Sequence, residues 1–158
     1  MSTDPLFHVV LIEPEIPNNT GNIGRTCIGA ASSLHLVGKL GFEIDDKKLK
    51  RAGLDYWTHL NWQHHKTLED WLSIVPDKSR LHLFTTKTTN SIFDAEIKKG
   101  DWLVFGKETK GLSPEILKMF PNQLVTLPMH GPIRSLNLAN AVSIGLYEGI
   151  RQITHGQR

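Results

Sequence analysis

Short apolar runs alternate along the chain with stretches of helical spacing. Continuous apolar runs of this length are typical of strands buried on both faces of a parallel sheet, and they occupy Phe7 to Ile12, Leu34 to Val37, Arg80 to Thr85, Trp102 to Phe105 and Leu124 to Leu127. Helices are predicted over Gly21 to Ser32, Asp46 to Ala52 and Thr67 to Ile74, and after Ser113 and Ser135. This order predicts an α/β fold, a mostly parallel sheet flanked by helices.

The most structured pattern lies near the C-terminus, in the stretch Leu127 to Glu148. Ser135 is the expected N-cap of its helix. The helix is apolar on more than one side, which indicates that it is covered on more than one side. Gly145 and Gly149 would let another backbone approach. The predicted core stripe consists of Leu136, Ala139, Val142, Leu146, Ile150 and Ile153.

The segment EPEIPNNTGNIGRT follows the first strand. We expect Asn18, Asn19 or Thr20 to cap the next helix. Its glycines make that helix intrinsically poor, so tertiary packing or a ligand must hold it. The glycine spacing is not G-x-G-x-x-G, the dinucleotide-binding fingerprint. Arg25 lies one turn into the helix, where it is either a plain surface cation or part of a site.

Three loops that follow strands are rich in special residues. They are Thr85 to Ser91, Gly106 to Ser113 and Met129 to Ser135. The carboxyl ends of parallel strands share one edge of the sheet, where such folds place ligands. In the second loop, Gly106 and Gly111 permit positive φ and close backbone approach. The sequence therefore predicts one ligand site built from all three loops.

Composition narrows the classes of function. The 158 residues fit one domain, 1–158, with a formal net charge of +2, a weak bias toward polyanions. No apolar run is long enough to span a membrane and no signal peptide is evident, so we expect a cytoplasmic protein. The single cysteine, Cys27, excludes an intrachain disulfide and cysteine-rich metal centres. The histidines do not form an H-E-x-x-H motif, so no metal is expected.

The second predicted helix, Asp46 to Ala52, carries a basic run. Runs of like charge are usually solvated faces, although this one also suits RNA phosphates. Tyr56, Trp57 and Trp62 follow it and would either stack on bases or belong to the core. The run comprises Lys47, Lys48, Lys50 and Arg51.

Together these segments resemble a known family. PEIPNNTGNIGRTC, FGKETKGLS and LPMHGPIRSLNLANAVSIGLYE are similar to the three motifs of the SPOUT, or trefoil-knotted, RNA methyltransferases. DDKKLKRAGLDYW and LFTTK resemble the branch that methylates the ribose 2′-oxygen of the tRNA wobble nucleotide, a cytidine or modified uridine. The resemblance runs from about Val9 to Gln152. It implies a deep C-terminal knot, S-adenosylmethionine as cofactor, a homodimer and the anticodon stem-loop of tRNA, leucine tRNAs above all, as substrate.

The resemblance also assigns residues. It implies catalytic roles for Arg25, Ser135 and Tyr147. The cofactor-binding set would be Phe84, Thr85, Gly106, Glu108, Gly111, Leu127, Ser135 and Asn137. The RNA-binding set would be Asn19, Arg25, Lys47, Lys48, Lys50, Arg51 and Arg134. Two departures concern the substrate: Lys107 stands where this branch often has proline, and the loop His130 to Ile133 is unusual.

Chemistry limits what these residues can do. A guanidinium is almost always protonated, so Arg25 suits clamping a phosphate and stabilising an oxyanion better than taking a proton. Ser135 would either orient the hydroxyl or only cap its helix. Glu108 would favour the cationic end of the cofactor.

Other classes of protein differ from this sequence to different degrees. A classical Rossmann methyltransferase requires a glycine-rich loop after its first strand, whereas the first strand here is followed by Glu-Pro-Glu. A radical methylase requires more than one cysteine and is excluded by the single Cys27. A non-catalytic RNA-binding module, or a 2′-O-methyltransferase of another tRNA or rRNA position, would use the same basic and aromatic residues. Cofactor binding separates the module from the enzymes.

Overall fold

The structure is a computed structural model that describes residues 4–44 and 55–156. Its centre is a six-stranded sheet in the order β3-β2-β1-β5-β4-β6, and every strand pair in it is parallel. The strands are β1 (His8–Ile12), β2 (Ser33–Val37), β3 (Trp62–His65), β4 (Leu81–Phe84), β5 (Trp102–Phe105) and β6 (Leu124–Val125). The predicted α/β fold with a parallel sheet is confirmed.

Helices cover both faces of the sheet. They are α1 (Pro17–Gly29), α2 (Leu68–Ile74), α3 (Pro114–Met119) and α4 (Leu138–Arg151), the last followed by a π-helical turn over Gln152–Gly156. Helices α1 and α4 pack on one face, and α2 and α3 on the other. The predicted helix over Asp46 to Ala52 lies outside the described residues.

The central strand β1 explains why the apolar runs are continuous. Val9 and Leu11 belong to the cluster under α1 and α4, whereas Val10 and Ile12 belong to the cluster under α2 and α3. Side chains alternate between the faces of a strand, so a strand covered on both sides must be apolar at every position.

The start of α1 differs from the prediction. The helix begins at Pro17 rather than Gly21, because proline is favoured at the first helical position. Asn18, Asn19 and Thr20 therefore lie inside the helix, and the N-cap position is taken by Ile16, which has no capping side chain. The donors of this helix end must be satisfied from elsewhere in the chain.

Packing holds the glycine-rich α1. A Cβ added to Gly24 would lie 2.6 Å from the Trp57 ring. Trp57 is 8% exposed, and the Tyr56 hydroxyl donates to the carbonyl of Gly21 at 3.2 Å. Tyr56 and Trp57 thus support α1. Of the two interpretations of these aromatic residues, packing in the core rather than stacking on bases agrees with the structure.

The other helix starts follow elementary capping rules. The Thr67 hydroxyl accepts from Asp70 N at the start of α2, and the Ser113 hydroxyl accepts from Ile116 N at the start of α3. At α4 the prediction is wrong: the N-cap is Asn137, whose side chain accepts from the backbone N–H groups of residues 139 and 140. Ser135 precedes the helix by three residues and caps nothing.

The faces of α4 also need correction. Val142 and Leu146 are fully buried, as predicted, but Leu136 lies before the helix and is 38% exposed. Gly145 and Gly149 do not face a second helix. Added Cβ atoms there would lie 3.1 Å from the Phe84 ring and 2.9 Å from the Phe7 ring, so both glycines make room for aromatic rings beneath α4.

A histidine cluster crosses the sheet under α2. His8 Nδ1 lies 2.6 Å from the Ser33 hydroxyl, and His35 Nδ1 lies 2.9 Å from His65 Nε2. Trp102 stacks on His8 with ring centroids 4.0 Å apart. Burial lowers the pKa of His35 to about 3, with the neighbouring imidazoles adding to the effect, and burial also lowers the pKa of His8 and His65. These side chains therefore pack as neutral rings.

An ionic group lies at the amino end of β5. Asp101, only 2% exposed, accepts from Arg80 Nε at 2.7 Å and from Lys98 N at 2.8 Å, and it lies 2.7 Å from His82 Nε2. Burial alone would raise the pKa of Asp101, but the hydrogen bonds from His82 and Arg80 outweigh it and hold the pKa below its ordinary value. The group fixes the edge of the sheet opposite the predicted site.

The described part of the chain lacks two kinds of feature. None of its helices combines the length and the apolar character that a membrane crossing requires. Nor do three or more histidine, cysteine or acidic side chains within it converge in a way that would hold a metal ion.

Candidate active site

A cavity of about 320 Å³ opens at the carboxyl edge of β4, β5 and β6. All three predicted loops line it, because each follows one of these neighbouring parallel strands. Seven of the residues expected to bind cofactor lie on its wall: Phe84, Thr85, Gly106, Glu108, Gly111, Leu127 and Ser135. Arg134, predicted to contact RNA, lines it as well.

Several other lining residues were not predicted from the sequence, among them Thr126, Leu138 and Ala141. Thr126 directly precedes the predicted Leu127, and that neighbourhood was a usable signal. Leu138 and Ala141 lie on the first turn of α4, and only the packing of that helix against the sheet brings them to the wall.

The loop after β5 is closed on itself. Gly111 N donates to Lys107 O at 2.9 Å, and Gly111 has φ +68°, as predicted for a glycine there. An added Cβ on Gly106 would lie 2.0 Å from the carbonyl carbon of Gly111. The close approach predicted at Gly106 is therefore between two parts of one loop rather than between backbone and ligand.

Glu108 binds the backbone that leads into α1. Its carboxylate accepts from Glu15 N at 2.9 Å and Ile16 N at 2.5 Å, and Asn19 Nδ2 lies at 3.5 Å. A carboxylate is favoured at the positive end of a helix. Glu108 also lines the cavity, so one side chain joins the cavity wall to the start of α1.

A reciprocal contact ties the same two segments together. Glu15 accepts from Thr109 N at 3.0 Å and from the Thr109 hydroxyl at 2.7 Å, and these bonds hold the pKa of Glu15 below its ordinary value. The loop after β1 and the loop after β5 thus exchange hydrogen bonds in both directions.

Asn19 and Asn137 extend this connection to α4. Asn137 Nδ2 donates to Asn19 Oδ1 at 3.1 Å, while Asn137 Oδ1 caps α4. Asn137 is not among the cavity-lining residues, so the structure gives this predicted cofactor ligand a structural position instead. Asn19, predicted to contact RNA, is only 8% exposed in the single chain.

The inner wall of the cavity is apolar. The Phe84 and Phe105 rings stack with centroids 4.4 Å apart, and Leu127 and Leu138 add aliphatic surface. Backbone groups of the three loops border this wall. Such a combination suits a flat, partly apolar ligand that is oriented by a few hydrogen bonds.

Two predicted catalytic residues lie away from the cavity. Arg25 is exposed on α1, with its guanidinium 5.6 Å from the centroid of the Tyr56 ring, and it does not line the cavity. Tyr147 is 53% exposed on α4. Within one chain, Ser135 alone of the three catalytic candidates reaches the cavity. The candidates Lys47, Lys48, Lys50 and Arg51 lie outside the described residues.

Comparison with known proteins agrees with these motifs. The chain matches the SpoU rRNA Methylase family over residues 6–147. It is 45% identical over 152 residues to a tRNA (cytidine(34)-2′-O)-methyltransferase of Burkholderia pseudomallei (strain 1106a), covering 93% of this chain and 96% of the relative. It is 44% identical over 150 residues to a putative tRNA (cytidine(34)-2′-O)-methyltransferase of Bacillus subtilis (strain 168), with 92% of each chain covered.

Solved structures resemble the fold. One, from work on the 2-OH methylation of C/U34 on tRNA, has a TM-score of 0.86 and 43% identity, covering 92% of this chain and 89% of that one. Another is the SpoU methyltransferase AviRb from Streptomyces viridochromogenes in complex with the cofactor AdoMet. Its TM-score is 0.81 and its identity 26%, covering 96% of this chain and 59% of that one.

Proposed function

The chain belongs to the SpoU rRNA Methylase family, and from that membership we propose that it transfers a methyl group from S-adenosylmethionine to the ribose 2′-oxygen of the wobble nucleotide of tRNA. The nucleotide is a cytidine or a modified uridine, in leucine tRNAs above all. The observation that carries the proposal is the cavity built jointly by the three motif-bearing loops.

The cavity suits S-adenosylmethionine. Its volume of about 320 Å³ falls within the range of small-molecule sites. The stacked rings of Phe84 and Phe105, with Leu127, offer an apolar wall for the adenine, and the backbone of the loops supplies hydrogen bonds to its edge. When bound, the cofactor supplies a methyl group on a sulfonium, already activated for transfer.

The protein then has to place a ribose hydroxyl in line with that methyl group and assist loss of its proton. Ser135 lines the cavity and caps no helix, so its hydroxyl is free to orient the ribose. The role of the Arg25 guanidinium is to clamp the adjoining phosphate and stabilise the developing oxyanion.

The position of Arg25 favours a homodimer. Within one chain it lies on α1, outside the cavity that holds the cofactor. A second copy packed on the α1 and α4 surface would bring its Arg25 to the cavity of the first. Tyr147 (53% exposed) and Ile144 (42% exposed) give this surface apolar area to bury.

The remaining parts of the proposal concern architecture and substrate. Residues 1–158 act as one domain, with the deep knot of the family at the C-terminal segment. The anticodon stem-loop would lie across both subunits, in contact with Arg134 and with the basic run Lys47 to Arg51. A tRNA substrate implies action in the cytoplasm.

Mass spectrometry of tRNA and rRNA nucleosides, from a strain without the gene and from one with it restored, tests the function. We expect 2′-O-methylation to disappear from position 34 of leucine tRNAs and to return on complementation. Loss at another tRNA or rRNA position would keep the enzyme class and overturn the substrate. Unchanged nucleosides, with no binding of S-adenosylmethionine in calorimetry, would favour a non-catalytic RNA-binding module.

A further inference from the structure

A second cavity, of about 390 Å³, adjoins the first at the carboxyl edge of the sheet. We call it the lysine cleft. Its floor is apolar, formed by residues such as Ile12, Leu112 and Ile116, and its rim carries Lys87, Lys107 and Lys110. These three lysines also line the cofactor cavity, so the two spaces share a wall.

The topology of the sheet explains why a cleft opens here. Strands β1 and β5 are neighbours, but the chain leaves β1 toward α1 on one face and leaves β5 toward α3 on the other. Diverging loops at adjacent strand ends leave a crevice, and open parallel sheets bind ligands there. Ile12 ends β1, and Lys107 and Leu112 belong to the segment that follows β5.

The lysines are held by ordered backbone. Lys107 and Lys110 lie in the loop closed by the Gly111 N to Lys107 O bond of 2.9 Å. Lys87 N donates to the Thr85 hydroxyl at 3.1 Å, which fixes the turn after β4. Three ammonium groups are thus presented around one opening by two loops of defined shape.

The nearby carboxylates leave most of this positive charge unpaired. Glu108 is taken up by backbone N–H groups at the start of α1, and Glu15 by Thr109, although Lys107 and Lys110 still act on Glu15 through space. Glu13 lines the cleft and approaches Lys107 Nζ at 3.9 Å, the limit of an ion pair. Within the described ranges, Lys87 and Lys110 have no carboxylate within 4 Å.

We propose that the lysine cleft binds a nucleotide of the tRNA strand next to the methylated one, its phosphate on the three lysines and its base on the apolar floor. The inference rests on the proposed function. An anionic, partly apolar ligand fits this lining, and the cleft lies next to the cavity where the ribose must reach the methyl group. Glu13 holds Lys107 in place until the phosphate replaces it.

The test is the salt dependence of tRNA binding. The triple variant Lys87→Gln, Lys107→Gln, Lys110→Gln should bind the tRNA about tenfold more weakly, and the slope of log affinity against log salt should fall by about one. Lys98→Gln, Lys99→Gln, Lys118→Gln removes the same charge from described surfaces elsewhere and should match the parent.

A single substitution should change the affinity for tRNA in the opposite direction. Glu13→Gln removes the nearest counter-charge, so it should tighten tRNA binding about twofold and leave the affinity for S-adenosylhomocysteine unchanged. Glu96→Gln, which removes an exposed carboxylate paired with Lys98, is its control and should leave tRNA affinity as it is.

The outcomes separate the two hypotheses. A parent that transfers no methyl group to tRNA overturns the proposed function and the cleft together. A parent that methylates tRNA, with a triple variant that keeps the parent's salt slope, overturns the cleft alone. A triple variant that loses affinity for S-adenosylhomocysteine but not for tRNA assigns the lysines to the cofactor and also overturns the cleft.

Discussion

Asn137 donates from Nδ2 to Oδ1 of Asn19 at 3.1 Å, across 118 positions of sequence. The contact joins the cap of α4 to the first turn of α1, and Glu108 joins that same turn to the cavity wall. The three segments that carry the family motifs are therefore held together by side chains that the sequence assigned to ligands.

The Asn137 cap gives the first prediction. Asn137→Ala should lower the free energy of unfolding by about 1–2 kcal/mol, because α4 loses its N-cap and Asn19 loses a partner. Ser135→Ala should change it by less than about 0.5 kcal/mol, since that residue lies outside the helix, yet it should reduce methyl transfer. Urea unfolding and a methylation assay measure the two effects; the reverse ranking in stability would restore Ser135 as the cap.

The closed loop after β5 should not tolerate a side chain at Gly106. The new Cβ of Gly106→Ala would meet backbone atoms of Gly111 and Leu112 at 2.0 and 2.1 Å, so we expect the loss of several kcal/mol of stability and of cofactor binding. Gly29→Ala is the matched control. Its Cβ meets nothing within 4 Å, and alanine favours a helix, so stability should hold or rise by up to about 1 kcal/mol. Thermal unfolding measures the stability and calorimetry with S-adenosylhomocysteine measures cofactor binding. A Gly106→Ala protein with the stability and affinity of the parent would contradict the loop geometry.

The buried histidines make stability depend on pH. Their pKa values are lowered in the folded chain, that of His35 to about 3. The unfolded chain, with ordinary values near 6.5, then binds more protons as the pH falls. The free energy of unfolding should therefore drop as the pH falls from 7.5 to 5.5, by up to about 1.4 kcal/mol per pH unit for each such histidine.

Urea unfolding at several pH values tests this dependence. His35→Gln should flatten it, whereas His59→Gln, at an exposed position, should not. A pH dependence that survives the loss of His35 undiminished would mean that other groups cause it.

Arg25 should matter for turnover and not for folding. Arg25→Ala should keep its stability and its affinity for S-adenosylhomocysteine while losing about 10²–10³-fold in methyl transfer, the scale expected for one oxyanion-stabilising donor. Lys118→Ala, an exposed cation on the opposite face, should retain full activity. Mixing Arg25→Ala with Ala141→Trp, which fills the cavity, should restore part of the activity if subunits share sites. No rescue, despite proven exchange of subunits, would place each site within one chain.

Tyr147 tests the proposed dimer surface. Tyr147→Asp places a charge on α4 and should shift sedimentation toward the monomer and abolish methylation. Ile74→Asp changes a comparably exposed apolar residue (45% against 53%) on α2 and should sediment like the parent. If both variants behave alike, the dimer does not use the α1 and α4 surface.

The sequence predicted what depends on local pattern. The run Trp102 to Phe105 is a strand with the predicted limits, and Ser113 with Pro114 starts a helix as expected. Three loops after strands meet at one cavity because a parallel sheet must bring them together.

Several of the errors concern long-range contacts. Glu108 binds the backbone N–H groups of Glu15 and Ile16, about ninety residues earlier in the chain, and no local rule could reveal that contact. Gly145 and Gly149 favoured a helix contact, but rings of Phe84 and Phe7 occupy that space. Ser135 and Asn137 are both good N-caps by residue type, and only the register of α4 on the sheet selects the second.

The spread of the cavity wall along the chain has a consequence for how the protein is made. The wall runs from Phe84 to Ala141, and α4, made last, closes it. The central strand β1 likewise gains its partner β5 only after about ninety further residues have been added. A ribosome-bound chain can thus assemble the β1 and β2 pair early, whereas the cavity wall is complete only after α4 has left the exit tunnel.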